Sequence, residues 1–361
     1  MEKSQVSHRN IFLDLFRYVL VFFVISIHYN SSSNFMSIFR VAVPMFFMIS
    51  GFYNYTDCKD KRLSKCYNFM KSSLKYLLIG TSIYFVYDIY KCIFNGKSVV
   101  SFFSRLFYKD FCSDFFLFNI SNTSGYHLWF LIALFVCSLI HYIFVKFDKC
   151  KLYYVITPIL LVIVFCMNGY LHLIFDYSQP LEHYRNVVFM GLPLFFIGFL
   201  LGKLKDKRFS KRTNALFALL SFYFLIFSLF EKNITTMEFY SSSVFASAFL
   251  LLFINSLPAI DNKATKFFYK WIGKNSVFYI YILHIMVYEI FVEGIIASAS
   301  IKCVITLAIS FFIYEVIHLI GMLINHTRNK RKTVTFLPAI KQGIESTSIL
   351  TEAQKEQIKT I

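Results

Sequence analysis

Three side chains in the first apolar run are of kinds that do chemistry and seldom sit in hydrocarbon: Asp14, Arg17 and His28. On a helix turning about 100° per residue, the steps from Arg17 to His28 return to within about 20° of the starting direction, and those from Asp14 fall about 40° short. All three therefore share one face. An ionisable group within a span costs about 2.5–3.5 kcal/mol on insertion scales, so such a stripe faces the bundle interior or a wet cavity. A second reading stays open, in which Asp14 and Arg17, one turn apart, neutralise each other at one interface while His28 merely sits at the other. A rise of about 1.5 Å per residue separates Arg17 from His28 by roughly 16 Å, so neither polarises the other directly. If both serve one reaction, an extended group must thread between them, and a thioester arm is long enough. Histidine, with an ordinary pKa near 6.5, suits the general base of such a transfer.

Further ionisable groups lie in later apolar runs. They are His127 in His127-Leu-Trp129, His284 one turn after Tyr281, Glu289 in the same run, and Glu315 with His318 near the end. Each alone reads as readily as a satisfied core residue. No spacing of Cys and His suggests a zinc site; the eight cysteines are scattered without a Cys-x-x-Cys pair and read as ordinary apolar residues. Ser50-Gly51 is no nucleophile elbow, because the pattern around it offers no strand-to-helix turn.

The elements that must carry these residues are helices in lipid. Hydrophobic residues make up 57% of the 361 and charged ones 16%, with mean hydropathy +0.58, beyond what a soluble domain of this length carries. Runs near 11–28, 38–56, 73–94, 127–146, 152–168, 187–203, 213–230, 237–256, 273–292 and 301–324 approach the roughly 20 apolar residues needed for a span. The expectation is an all-α polytopic membrane protein, a bundle of about ten transmembrane helices. Residues 1–326 form the membrane domain and 327–361 a polar tail. The first ten residues are basic and polar and no small-residue cleavage site follows, so the first helix is expected to stay.

The net charge of +17 does not point to nucleic acid, since the basic residues fall in short loops rather than in one domain. Lys59, Lys61, Arg62, Lys65 and Lys71 occupy one loop, Lys205, Lys207, Arg208, Lys211 and Arg212 another, and Arg328, Lys330, Arg331 and Lys332 the tail. All fall on one side of a ten-span chain, whereas the stretches 29–37, 231–236 and 293–300 hold only Lys232. The positive-inside bias places both termini in the cytoplasm. In the longer loop 95–126, the stretch from Ser101 to Tyr108 reads either as an interfacial helix or as an aromatic covering loop.

With these residues in view, the chain resembles the membrane-bound acyltransferase-3 family, bacterial enzymes that O-acylate surface polysaccharides. Four patches carry the resemblance: Leu13 to Arg17 followed by His28 in an Arg-x10-His pattern; Val43 to Phe52, Val-Pro-Met-Phe-Phe-Met-Ile-Ser-Gly-Phe; His127 to Leu131, His-Leu-Trp-Phe-Leu; and Phe278 to His284. Their order and spacing agree over nearly 300 residues. The family's cytoplasmic Arg-x-x-Arg is replaced by Arg62-Leu-Ser-Lys65, which keeps the charge and loses one planar guanidinium fork.

The resemblance implies a bacterial cytoplasmic-membrane enzyme that takes an acyl group, usually acetyl, from acetyl-CoA and uses no metal. Arg62, Lys65 and Lys61 would meet the CoA phosphates, and the pantetheine arm would pass Arg17, which Asp14 orients or balances. His28 would be the general base or carry an acyl intermediate. Ser50, His127, Trp129, Tyr281, His284 and Glu315 would shape the substrate cavity, Trp129 as a stacking face for a carbohydrate acceptor. A polysaccharide synthesis complex is the expected setting, and the lipid bilayer the other partner. Two transport readings compete: a small-solute carrier, which would use Glu289 or Glu315, and an exporter or flippase of a glycan intermediate. Neither is supported by an inverted repeat with broken helices.

Overall fold

The computed structural model describes residues 10–30, 34–106, 124–166, 170, 185–234, 239–258, 263–264, 276–295 and 298–345. Among them every regular element is a helix. In chain order they are α1 (Ile11–Tyr29), α2 (Met36–Phe39), α3 (Ala42–Asn54), α4 (Lys59–Phe94), α5 (Val99–Leu106), α6 (Trp129–Lys146), α7 (Tyr153–Phe165), α8 (Leu192–Leu201), α9 (Lys211–Ile234), α10 (Ser241–Ser256), α11 (Ser276–Phe291) and α12 (Ala299–Glu345). The chain divides into two compact units, residues 1–310 and 311–361.

The surface is the kind that lipid, not water, solvates. Leu219, Phe222 and Phe230 of α9, Val162 of α7 and Val86 of α4 are each about three-fifths exposed or more. Outward apolar faces of this kind are stable only where hydrocarbon replaces water. Seven helices or continuous helical stretches are long and apolar enough to cross a bilayer: Ile11–Tyr29, Met36–Asn54, Lys59–Phe94, Tyr126–Lys146, Val187–Leu204, Lys211–Asn233 and Ala299–Ile324. The three other expected spans appear as shorter apolar helices, Cys150–Phe165, Ser241–Ser256 and Ser276–Phe291. Their expected ranges ran into residues 167–168, 237–238 and 273–275, which lie outside the described residues.

Two boundaries differ from expectation. The basic stretch from Lys59 is not a loop but the first turns of the 36-residue α4, because Lys and Arg are good helix formers and no Pro or Gly interrupts the stretch. Helix α12 continues through residue 326 into the polar segment and ends at Glu345. Of the stretch 101–108, read either as an interfacial helix or as a covering loop, residues 101–106 belong to α5, whose Phe102 is buried.

Helices α3 and α8 approach until their backbones touch. A Cβ added to Gly198 would lie 2.0 Å from the Met48 carbonyl oxygen, and one on Gly51 2.0 Å from that of Phe195. Small residues at this crossing replace the hydrophobic effect, which lipid removes, with close dispersion contact. Phe47, Phe52, Phe195 and Phe199 fill the core on either side. Elsewhere α4 packs on α6, α9 on α10, and α1 against α3 and α11. Glu231 of α9, only 2% exposed, accepts from the backbone N–H groups of Ser241 (2.7 Å) and Ser242 (3.1 Å) at the start of α10. The Ser241 hydroxyl (3.0 Å) and the Tyr170 hydroxyl donate to it as well. A carboxylate from one helix thus satisfies the open N–H groups of the next.

Candidate functional site

Helix α1 carries the stripe as expected. Asn10 caps it, its side chain accepting from the N–H groups of Phe12 (3.0 Å) and Leu13 (3.3 Å). One turn in, Arg17 donates to the nearly buried Asp14 at 2.9 Å, and its guanidinium lies 5.3 Å from the ring centre of Tyr53. At the other end of the same helix, His28 borders a cavity of about 60 Å³, room for a few water molecules or a small polar group.

The cavity is lined by side chains from several elements. Val24 and His28 come from α1, Val43 and Phe46 from α3, His127 from the 3-10 turn Tyr126–Leu128 that leads into α6, and Trp129 and Phe130 from the start of α6. Tyr281 comes from α11. Two arginines join them: Arg40, in the turn before α3, and Arg185, before the single π-helical turn Val187–Gly191 that leads into α8. Asn186 caps that turn through the N–H groups of Val188 (3.0 Å) and Phe189 (3.1 Å), which holds Arg185 beside the site, its guanidinium 5.4 Å from the Trp129 ring.

Three histidines from three helices converge. The ring centres of His28 and His284 are 5.5 Å apart, those of His284 and His127 4.8 Å, and those of His28 and His127 6.4 Å. Their surroundings are built by α4 and α11. The Tyr84 hydroxyl donates to the Ile282 carbonyl (2.8 Å) and accepts from the Met286 N–H (3.3 Å). Those two groups are the ends of one i→i−4 rung of α11, so a side chain from α4 stands at a rung of the helix ladder. The same Ile282 carbonyl contacts Nε2 of His127 at 3.3 Å, and the Tyr281 hydroxyl donates to the His127 carbonyl. Among the described residues no group of three His, Cys, Asp or Glu is disposed to hold a metal ion.

The remaining sequence candidates fall elsewhere. Ser50 is not among the lining residues; its hydroxyl donates back to the Phe46 carbonyl at 2.8 Å. Glu315 belongs to the second unit, where it lies 3.8 Å from His318. Glu289 accepts from Lys91 (2.9 Å) and from the Tyr87 hydroxyl (2.8 Å), a neutralised carboxylate rather than an open one. Arg62 is anchored, donating to the carbonyls of Thr56 (2.8 Å) and Asp57 (3.2 Å), whereas Lys61 and Lys65 are exposed on the first turns of α4. A further buried histidine, His141, is bonded to the Tyr153 hydroxyl at 2.7 Å.

Sequence reasoning singled out each of the three converging histidines but missed Arg40 and Arg185. Arg40 carried a usable signal, since it falls inside an expected apolar span. Arg185 reads from sequence as an ordinary loop charge.

A multi-helix membrane protein with an imidazole cluster and two guanidiniums around a small cavity has the groups that acyl transfer needs. The chain belongs to the acyltransferase-3 family, whose acyltransferase domain matches residues 10–323. It is also similar to an amino-acid racemase of Enterococcus faecalis, at 26% identity over 254 residues covering 63% of this chain and 32% of the racemase. The chain thus matches about a third of the length of that curated relative. No solved structure matches it.

Proposed function

We propose that this acyltransferase moves an acyl group, acetyl in the simplest case, from cytoplasmic acetyl-CoA to a hydroxyl of a cell-surface or lipid-linked carbohydrate. The observation that carries the reading is the pairing of two distant stations on α1: Arg17 with Asp14 at one end, and His28 in a cavity with Arg40, Arg185 and Trp129 at the other. Their separation of roughly 16 Å suits an extended thioester arm lying along the helix. The exposed Lys61 and Lys65 would attract the donor's phosphates, and Arg62 would hold the turn that presents them.

In the transfer step the acceptor hydroxyl gives its proton to a ring nitrogen of His28 as its oxygen bonds to the thioester carbon. The charge that develops on the carbonyl oxygen would be stabilised by the guanidiniums of Arg40 and Arg185, which line the same cavity. The carbon–sulfur bond then breaks, and the thiolate leaves as the thiol of CoA with the proton that His28 held. Trp129, capped by Arg185, offers the acceptor's sugar ring a stacking face. The reading sets the enzyme in the bacterial cytoplasmic membrane, beside a polysaccharide synthesis complex.

One comparison favours a second reading: the partial likeness to a protein named for amino-acid chemistry leaves room for a membrane domain that handles a small amphoteric solute. Against it, Glu289, which proton coupling would use, is tied to Lys91. The test is release of CoA from radiolabelled acetyl-CoA by the purified protein, with a membrane glycolipid extract as acceptor. Release is expected in the wild type, and His28→Ala is expected to remove it, by about 10²-fold or more, with an unchanged gel-filtration profile. Undiminished release in that variant, or no binding of acetyl-CoA at all, would overturn the reading.

A further inference from the structure

The histidine cluster holds two ring nitrogens that the transfer step does not use. His284 Nδ1 lies 2.6 Å from the Tyr281 carbonyl oxygen. A carbonyl only accepts, so that nitrogen carries the hydrogen, and Nε2 of the neutral ring is a bare acceptor. His284 is fully buried, and its Nε2 has no hydrogen-bond partner among the described residues. The same argument applies to His127: Nε2 donates to the Ile282 carbonyl, which leaves Nδ1 bare, buried and without a partner. Buried acceptors left open cost stability, so their retention beside a reactive group calls for a donor that meets them.

For His284, His28 is a neighbouring ring able to supply one. Two imidazoles joined by an N–H···N bond of ordinary length have ring centres roughly 5.2 Å apart. The His28 and His284 centres are 5.5 Å apart, close to that spacing, whereas His28 and His127 stand at 6.4 Å. Moreover, His284 is absent from the cavity lining that includes His28 and His127, so it stands behind the base rather than before the substrate.

We propose that His284 is a positioning residue for His28: its Nε2 accepts the N–H of one His28 nitrogen and so fixes the tautomer in which the other nitrogen faces the cavity as the base. This rests on the acyl-transfer reading for its consequence but not for its geometry. During transfer the cavity-facing nitrogen takes the acceptor's proton and returns it to the leaving thiolate, while the N–H toward His284 stays in place. The orienting partner is thus a neutral imidazole whose own tautomer is set by a backbone carbonyl. Tyr84, standing at the Ile282–Met286 rung, fixes the turn of α11 that presents it.

The experiment combines turnover with ring-nitrogen NMR on protein labelled with ¹⁵N-histidine, the His28 signals being identified by their loss in His28→Ala. In wild type, His28 is expected to be a single neutral tautomer. His284→Leu is expected to mix the tautomers and to lower turnover at least about tenfold with little change in KM for acetyl-CoA. His284→Gln, whose amide oxygen can accept at the Nε2 position, is expected to restore both within a few-fold. A mixed tautomer in wild type, or unaltered turnover or His28 signals in His284→Leu, would overturn the proposal. If wild type shows no His28-dependent CoA release, the acyl-transfer reading fails, and the nitrogen signals still decide the positioning claim. Should His284→Leu not fold, the wild-type spectrum and the Gln variant decide it.

Discussion

At the scale of single residues, the same residue type serves quite different ends according to what its donors already hold. Arg62 and Lys65 look equivalent in sequence as the two cations of a phosphate clamp. In the structure Arg62 spends two donors on the carbonyls of Thr56 and Asp57, and its guanidinium also lies 5.5 Å from the Tyr55 ring centre. Lys65 is exposed. Lys65→Ala is therefore expected to raise KM for acetyl-CoA by up to about fivefold, the range of an exposed charge pair, without lowering the melting temperature in detergent. Arg62→Ala is expected to lower that temperature, because two carbonyls lose their donor. If both variants change only KM, the division of labour is wrong. Arg17 and Asp14 form a similar unit. Arg17→Ala takes a charged donor from the buried Asp14 carboxylate, so Arg17→Ala is expected to be less stable than Arg17→Met with Asp14→Asn, as thermal unfolding of the two variants would reveal.

At the scale of elements, the α3–α8 crossing shows why a weak sequence pattern can matter. The string Ile49-Ser-Gly-Phe52 is unremarkable in any apolar helix, and the family resemblance implied a place for Ser50 in the substrate cavity. The structure shifts the emphasis to Gly51, which faces the backbone of α8, while Ser50 bonds within its own helix. Gly198→Ala and Gly51→Ala each drive a methyl into a carbonyl and are expected to destabilise by more than the roughly 1–3 kcal/mol usual for overpacking. Gly191→Ala should be milder, since its Cβ meets the Cys137 Sγ at 2.8 Å, the end of a side chain. Thermal stability of the three variants in one detergent checks the order, and a neutral Gly51→Ala would contradict the crossing. Because α3 brings Val43 and Phe46 to the cavity, these glycines act on the site only through the placement of a wall.

For the molecule as a whole, the stripe on α1 was legible because a single helix fixes the phase of every residue along it. The converging histidines were visible one at a time, yet their meeting depends on how α1, α6 and α11 pack, which no local spacing encodes. Arg185 was hidden for the same reason: only its cap at Asn186 and the π turn bring a loop cation to the cavity. Helix lengths were harder to read than their existence, since an apolar run does not report where the backbone stops being helical. One feature also bears on how such a chain enters the bilayer. Glu231 would make α9 a poor solitary guest in hydrocarbon, because two backbone N–H donors and a hydroxyl donor to its carboxylate arrive with the first turn of α10. Helices α9 and α10 are then best inserted as a hairpin, with the biosynthetic machinery holding the first until the second has been made.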